Sequence, residues 1–436
     1  MFQLQKYNTS VKQELLAGIT TFFTFAYILV INPKILSDAG VPFDQAFTAT
    51  IIATVVGTLC MAFLANYPIV IAPAMGMNAY FAYSVVQQAE GITYVIAFSA
   101  VFVTGIIFLL LSFTSFRQKL IVAIPDSLKH AIAGGIGLFI AFIGLRLSGI
   151  IVDHPSNLVT IGDFHSPAVI LTLIGLILAA VLMTLRVSGA LFISMIVTGI
   201  IAFFTGQLKF TDKIVAMPHL PEGIIVSNPI NAFSDVIEYG LYGVVFSFLL
   251  VLLFDTTGAL LGLIKQAGLI KQAGLITDNT EKRFGKAFIA DAIGGTTGSI
   301  FGTSPIAATI ESSAGIAAGG KTGLTGIVVV GLTIITAFFS PVIASLSSVA
   351  AITAPSLIIV GSLMAQSLRD INWNEFDDAL PAFLIFVGIP LTSSIANGIA
   401  IGFLVYPVLK IVKGKGMEVH PLLYLFTILF GCHLFL

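Results

Sequence analysis

Apolar stretches close to the length of a bilayer span recur along this chain from end to end, leaving no long polar interval for a separate water-soluble domain. Hydropathy puts spans near 15–36, 44–66, 93–114, 127–150, 166–185, 188–205, 241–263, 284–301, 322–340, 353–367, 376–391 and 393–410. Charged residues make up 9% of the chain and hydrophobic ones 57%, against about 25% charged in an ordinary soluble domain. Such a composition cannot cover a water-facing surface, so a polytopic membrane protein is expected. Residues 1–14 are polar, and the apolar run after them lacks a small-residue cleavage site, which reads as an uncleaved first helix.

Two further stretches, 67–87 and 303–320, are apolar but irregular. Each opens on an extended-looking piece, Tyr67-Pro68-Ile69-Val70-Ile71 and Ser304-Pro305-Ile306-Ala307-Ala308, and runs into Gly- and Ala-rich sequence long enough only for a short helix. Read as half-helices, they bring the count to 14 segments, with 421–436 a partial or additional one. Short cytoplasmic loops concentrate Lys and Arg. With the amino terminus cytoplasmic, 16 of the 20 basic residues fall on that side, Arg117, Lys119, Arg186, Arg283 and Lys413 among them; Lys34, Arg146, Lys209 and Lys213 do not. The expected location is therefore the cell membrane, with the amino terminus inside.

The chain also carries an internal repeat. Laying 49–69 on 286–306 without gaps pairs Ile52 with Ile289, Ala53 with Ala290, Gly57 with Gly294, Pro68 with Pro305 and Ile69 with Ile306. The same alignment makes the two irregular segments equivalent. An odd number of spans separates the copies, so the halves run in opposite directions, the plan of many secondary transporters, whose solute site lies at the repeat interface among discontinuous helices. Leu263-Ile264-Lys265-Gln266-Ala267-Gly268 is repeated at once as Leu269-Ile270-Lys271-Gln272-Ala273-Gly274; the duplication reads as a lengthened loop or helix end, which costs little, with regulation as the other reading.

Ionisable groups inside spans are costly and point to function. Asp255, Asp291 and Glu311 are the carboxylates set well within apolar segments. Asp255 has no basic residue near it in sequence, which favours a solute or proton site over a buried hydrogen-bonding partner. Glu311 stands where the second extended piece turns into Ser312-Ser313-Ala314-Gly315; it reads as a ligand group or as a cap for that helix start. In the first half-helix, Gly76 permits close backbone approach and Asn78 supplies both a donor and an acceptor, or else a helix-packing bond. Asp291, near the end of its span, reads equally as structural and stays outside the expected site. Two carboxylates, a carboxamide and two opposed helix starts suit a flat heterocycle with ring N–H groups and carbonyls. Cys60 and Cys432 suggest neither a disulfide framework nor a metal site, and the six histidines form no metal constellation. Nucleophile, base and metal ligands for a membrane enzyme are not apparent. An anion or dicarboxylate carrier is disfavoured by two acids without an arginine, and a passive channel is separable by accumulation against a gradient.

The motifs Gly18-Ile19-Thr20-Thr21-Phe22, Ile71-Ala72-Pro73-Ala74-Met75-Gly76-Met77-Asn78-Ala79, Phe254-Asp255-Thr256-Thr257-Gly258, Glu311-Ser312-Ser313-Ala314-Gly315 and Glu418-Val419-His420-Pro421 occur in this order over nearly the whole chain. In this it resembles the AzgA-like purine permeases of the nucleobase–cation symporter 2, or xanthine/uracil permease, family. The resemblance implies an all-α fold of seven plus seven inverted segments, with short strands in segments 3 and 10, and core and gate domains moving in an elevator-like step, usually in a homodimer. The expected division is a cytoplasmic 1–14, a first repeat over 15–205 (core segments 1–4, gate segments 5–7), a loop over 206–240, a second repeat over 241–410 (core segments 8–11, gate segments 12–14) and a tail over 411–436. Carried over by motif, Gly76, Asn78, Asp255 and Glu311 match purine-binding positions, with Thr24, Ser312 and Ser313 as neighbours. The implied activity is import of hypoxanthine, guanine or adenine, with a uracil or xanthine carrier as the alternative. Glu311 or Asp255 would take the coupling proton; Na⁺ is the other candidate ion, and no further cofactor or nucleic-acid partner is expected.

Overall fold

The computed structural model describes residues 2–87, 91–114, 123–210, 213–218, 229–269 and 278–435. Arg117, Lys119, His219 and most of the second hexapeptide copy lie outside the described residues. The first half comprises α1 (Val11–Asp38), α2 (Phe43–Cys60), strand β1 (Ile71–Pro73), the six-residue α3 (Met75–Tyr80), α4 (Tyr94–Ser112), α5 (Asp126–Leu147), an exposed hairpin of β2 (Ile151–His154) and β3 (Leu158–Ile161), α6 (Pro167–Thr184) and α7 (Ala190–Phe204). After α8 (Pro229–Glu238) the second half follows: α9 (Tyr242–Gln266), α10 (Asp278–Phe301), β4 (Ile306–Ala308), the six-residue α11 (Ser312–Ala317), α12 (Gly323–Ala337), α13 (Ser340–Ser348), α14 (Ala350–Met364), α15 (Phe376–Thr392), α16 (Ile395–Val412) and α17 (Pro421–Phe435). Among the described residues, eight helices are long and apolar enough to cross a membrane, or nine if α12 and α13, bent by 79°, count as one span.

The internal repeat is realised at the centre of the molecule. β1 and β4 pair antiparallel with Ile71 opposite Ala308, Ala72 opposite Ala307 and Pro73 opposite Ile306. Continuing the gapless alignment of the two halves sets Ile71 on Ala308, so this cross-strand pair is also a pair of repeat equivalents. Equivalent glycines meet in the same way: a Cβ on Gly294 would lie 2.9 Å from the Gly57 Cα. Only glycine allows α2 and α10 to come this close.

A two-stranded ladder in mid-membrane leaves backbone groups that lipid cannot satisfy. The protein supplies partners for them. Thr58 Oγ1 accepts from the Ile71 N–H at 3.1 Å, Ser312 Oγ accepts from the Val70 N–H at 3.0 Å, and the ladder extends through Thr309 N–H to the Val70 carbonyl at 2.9 Å. The connector into β4 is held by a buried network in which Asn32 Nδ2 donates to Thr50 and Thr303 hydroxyls at 2.7 and 3.0 Å, and Ser304 Oγ donates to Asn32 Oδ1 at 3.0 Å.

Helices α1, α2, α4 and α9–α12 pack around the strands, while α5, α6 and α7 pack with α14, α15 and α16 in a second group. The first group holds both broken segments. Close glycine contacts knit the second group together: a Cβ on Gly361 would lie 2.3 Å from the Gly137 carbonyl oxygen.

Two features depart from the hydropathy reading. The stretch 206–240, expected as loop, contains α8, whose Ala232 and Val236 are buried and whose Asp235 accepts from Ser99 Oγ at 2.6 Å; a ten-residue amphipathic helix is too short and too polar to register as a span. The polar leader ends early, because Glu14 is fully buried in α1. Its carboxylate accepts from the Lys321 and Thr322 N–H groups at 3.1 and 3.3 Å and from Thr325 Oγ1 at 2.6 Å, capping α12. The stretch from Pro421, read as a partial or additional segment, folds as α17 (Pro421–Phe435), 15 residues long, which at about 1.5 Å per residue falls short of the roughly 30 Å hydrocarbon core and so fits the partial reading.

Candidate functional site

The antiparallel ladder directs the two half-helices at each other from opposite ends, and a cavity of about 90 Å³ lies where they start. Its walls include Tyr27 of α1, Ala74 and Gly76 at the start of α3, Asp255 of α9, Thr309 and Glu311 before α11, and Met364 of α14. Among the described residues, no lysine, arginine or histidine lines it.

Glu311 is oriented by Tyr27, whose Oη donates to Glu311 Oε1 at 2.6 Å. This hydroxyl is a site group to which motif reasoning gave no role, although Ala26-Tyr27-Ile28 accompanies the first of the motifs that carry the family resemblance. Asp255 comes from the middle of α9 and faces the same cavity. On the neutral side, the first helical bond of α3 runs from the Asn78 N–H to the Ala74 carbonyl at 3.0 Å, so the preceding N–H groups of Gly76 and Met77 have no partner within the helix. At α11 the situation differs from the expectation of two open helix starts: the N–H groups of Ser312, Ser313 and Ala314 are already bonded to the carbonyls of Thr309, Ile310 and Glu311 at 3.2, 2.9 and 3.2 Å. The arrangement thus places carboxyl acceptors on one wall and backbone donors on the other. A planar ligand with N–H groups along one edge and a carbonyl on the other meets both.

Gly76 fulfils a steric requirement, since a Cβ there would sit 2.3 Å from Ile136 Cγ2 of α5. The other expected residues lie behind the cavity wall. Asn78 is fully buried with neither amide atom partnered. Thr24 Oγ1 donates to the Thr20 carbonyl at 2.8 Å. Ser312 holds the Val70 backbone, and the Ser313 carbonyl accepts from Gln266 Nε2 at 3.0 Å. Asp291, kept out of the expected site, is fully buried behind Asp255, and Thr256 Oγ1 donates to its Oδ2 at 2.5 Å.

A wider cavity of about 610 Å³ shares Ala74, Gly76, Asp255 and Met364 with the small one and extends to Asp126, Lys129 and His130 at the start of α5. A third, of about 490 Å³, lies past the other end and is lined by Asp38, Tyr83, Phe139 and Arg146; it shares no residue with the small cavity. Along α5, Ile136 lines the wide cavity and Phe139 the third, so a single apolar turn separates the two. The site is therefore continuous with one vestibule and closed to the other.

Comparison with known proteins yields three kinds of match. The model of the Permease family, of the xanthine/uracil type, matches residues 12–401. The guanine/hypoxanthine permease PbuO of Bacillus subtilis is 58% identical over 437 residues, covering 100% of both chains, and the adenine permease AdeP of Escherichia coli is 38% identical, covering 99% of this chain and 94% of its own. Among solved structures, the transmembrane domain of the cyanobacterial bicarbonate transporter BicA superposes with a TM-score of 0.60 at 14% identity, over 88% of this chain and 97% of that one. At that identity the likeness is one of fold: the seven-plus-seven inverted-repeat plan.

Proposed function

This chain belongs to the Permease family, and from that membership we propose that it imports purine nucleobases, hypoxanthine and guanine foremost and adenine within the same class, by proton symport. The observation that carries the reading is the small cavity between the two broken segments, with two carboxyl groups and, among the described residues, no basic side chain on its walls. Such a wall favours a neutral ligand rich in N–H donors and disfavours an anion. Relatives named as guanine/hypoxanthine and adenine permeases support the same substrate class.

In this mechanism Glu311, held by Tyr27, accepts from ring N–H or amino groups of the purine, and the open N–H groups of Gly76 and Met77 donate to its carbonyl. Asp255 completes the acceptor wall. Either carboxyl is suited to take the coupling proton, because a buried acid with no basic partner is more cheaply carried across the membrane neutral than charged. With the amino terminus in the cytoplasm, as the distribution of basic residues implies, the vestibule continuous with the site faces inward. The core group then carries the site past the α5 barrier in an elevator-like step, and the protein works as a homodimer in the cell membrane.

The test is uptake of radiolabelled hypoxanthine, guanine, adenine, xanthine and uracil into cells lacking their own permeases, with and without a protonophore. Accumulation of the first three that collapses with the protonophore is expected. Uptake restricted to xanthine or uracil would overturn the substrate assignment, and accumulation that survives the protonophore but requires Na⁺ would overturn the coupling ion.

A further inference from the structure

On either side of the connection from α9 to α10, one described side chain bonds the backbone of a broken segment or of the turn that leads into one: Gln266 in the last turn of α9 and Arg283 in α10. At the near end, α9 closes within the first copy of the hexapeptide. Gly268 takes a φ of +68°, and the N–H groups of Gly268 and Leu269 turn back onto the Lys265 and Ile264 carbonyls at 3.1 and 3.2 Å, a glycine-terminated helix end. That closure leaves Gln266 on the last turn, where Nε2 donates to the Ser313 carbonyl at 3.0 Å, inside the half-helix that opens with Glu311.

At the far end, Arg283 of α10 donates from Nε to the Ala65 carbonyl at 3.0 Å and from Nη2 to the Asn66 carbonyl at 2.9 Å, just ahead of β1. Its guanidinium lies 4.3 Å from the centroid of the Tyr67 ring and 5.1 Å from that of Tyr7, so the planar fork is held by two rings while it bonds. Asn66 adopts the left-handed conformation, φ 52°, and its side chain donates to the Phe2 carbonyl at 3.2 Å and accepts from the Gly323 N–H at 2.9 Å. A strained residue of this kind persists where its surroundings over-determine it.

We infer that Gln266 and Arg283 are positioning residues, which hold the two halves of the nucleobase site in register from either side of the connection between α9 and α10. Neither side chain lines the cavity. Gln266 acts through the carbonyl of Ser313, and Arg283 through the turn that delivers β1 and α3. The inference rests on the nucleobase reading of the cavity.

The experiment measures initial guanine uptake against concentration for the full chain, normalised to the amount of transporter in the membrane. Arg283→Lys, which keeps the charge but loses the fork, is expected to raise KM about tenfold, and Gln266→Ala about threefold. The maximal rate per transporter should stay within about twofold in both, since neither residue touches the ligand or the coupling acids. A merely structural role would lower the amount of transporter and leave KM alone. An unshifted KM in Gln266→Ala, at an exposed position, overturns the inference. A wild-type chain that carries no nucleobase overturns the reading beneath it instead.

Discussion

The two broken segments are equivalent in backbone and unlike in chemistry. Both run from a connector through a proline, Pro68 or Pro305, into a three-residue strand and then a six-residue helix. In the gapless alignment of the halves, Ala74 falls on Glu311, and each is the residue that precedes its helix. In one segment that position leaves open backbone amides; in the other it carries a carboxylate held by Tyr27, over amides that are already bonded. The connectors differ as well. The one before β1 is gripped by a guanidinium between two rings, the one before β4 by neutral amide and hydroxyl groups. Repetition thus builds a symmetric frame for a cavity, and divergence within the frame supplies donors on one wall and acceptors on the other. A strictly symmetric pair would offer a purine the same chemistry twice.

Three changes would break or sharpen this contrast. The largest effect is expected from Glu311→Gln, which removes the charged acceptor from the second segment while preserving its shape. Purine uptake should fall about 100-fold, the upper range for loss of bonds to a charged group, and Ala74→Glu added to it should not restore transport, because Tyr27 reaches Glu311 and not position 74. Near-normal uptake in the single variant would remove Glu311 from the site. Next comes Gly76→Ala. The added Cβ meets Ile136 at 2.3 Å, and overpacking of this kind should lower uptake about tenfold, with Ile136→Ala in the same chain recovering most of it. No recovery in the double variant would mean that Gly76 serves the ligand and not the α3–α5 contact. The smallest effect belongs to Tyr27→Phe, which keeps the ring and deletes the bond to Glu311; KM for guanine should rise about threefold, and an unchanged KM would show that Glu311 needs no orienting partner.

Much of this architecture was legible before any coordinates. Spans, the reversal between halves and the two irregular segments follow from properties of short windows: apolar run length, proline and glycine spacing, and the rarity of Asp255 and Glu311 inside hydrocarbon. Helix α8 escaped because ten amphipathic residues resemble a loop when only hydropathy is counted, and the burial of Glu14 escaped because its partners, Lys321, Thr322 and Thr325, come from the other half of the chain. The candidate residues divided for a similar reason. Gly76, Asp255 and Glu311 line the cavity, whereas Asn78, Thr24, Ser312 and Ser313 stand behind it, since motif membership does not say which way a side chain on a helix points.

The sequence alone therefore settled the solvent, the repeat and the acids, because each is written locally or as a period along the chain. Tertiary structure decided which wall carries donors and which acceptors, that Tyr27 orients Glu311, and that one vestibule is open to the site while the other is shut behind Ile136 and Phe139. Those facts depend on contacts between residues up to 284 positions apart, and the physical reason is plain. In a membrane the backbone must satisfy itself wherever the helix breaks, and which distant side chains supply the missing partners is fixed only when the two halves have been brought together.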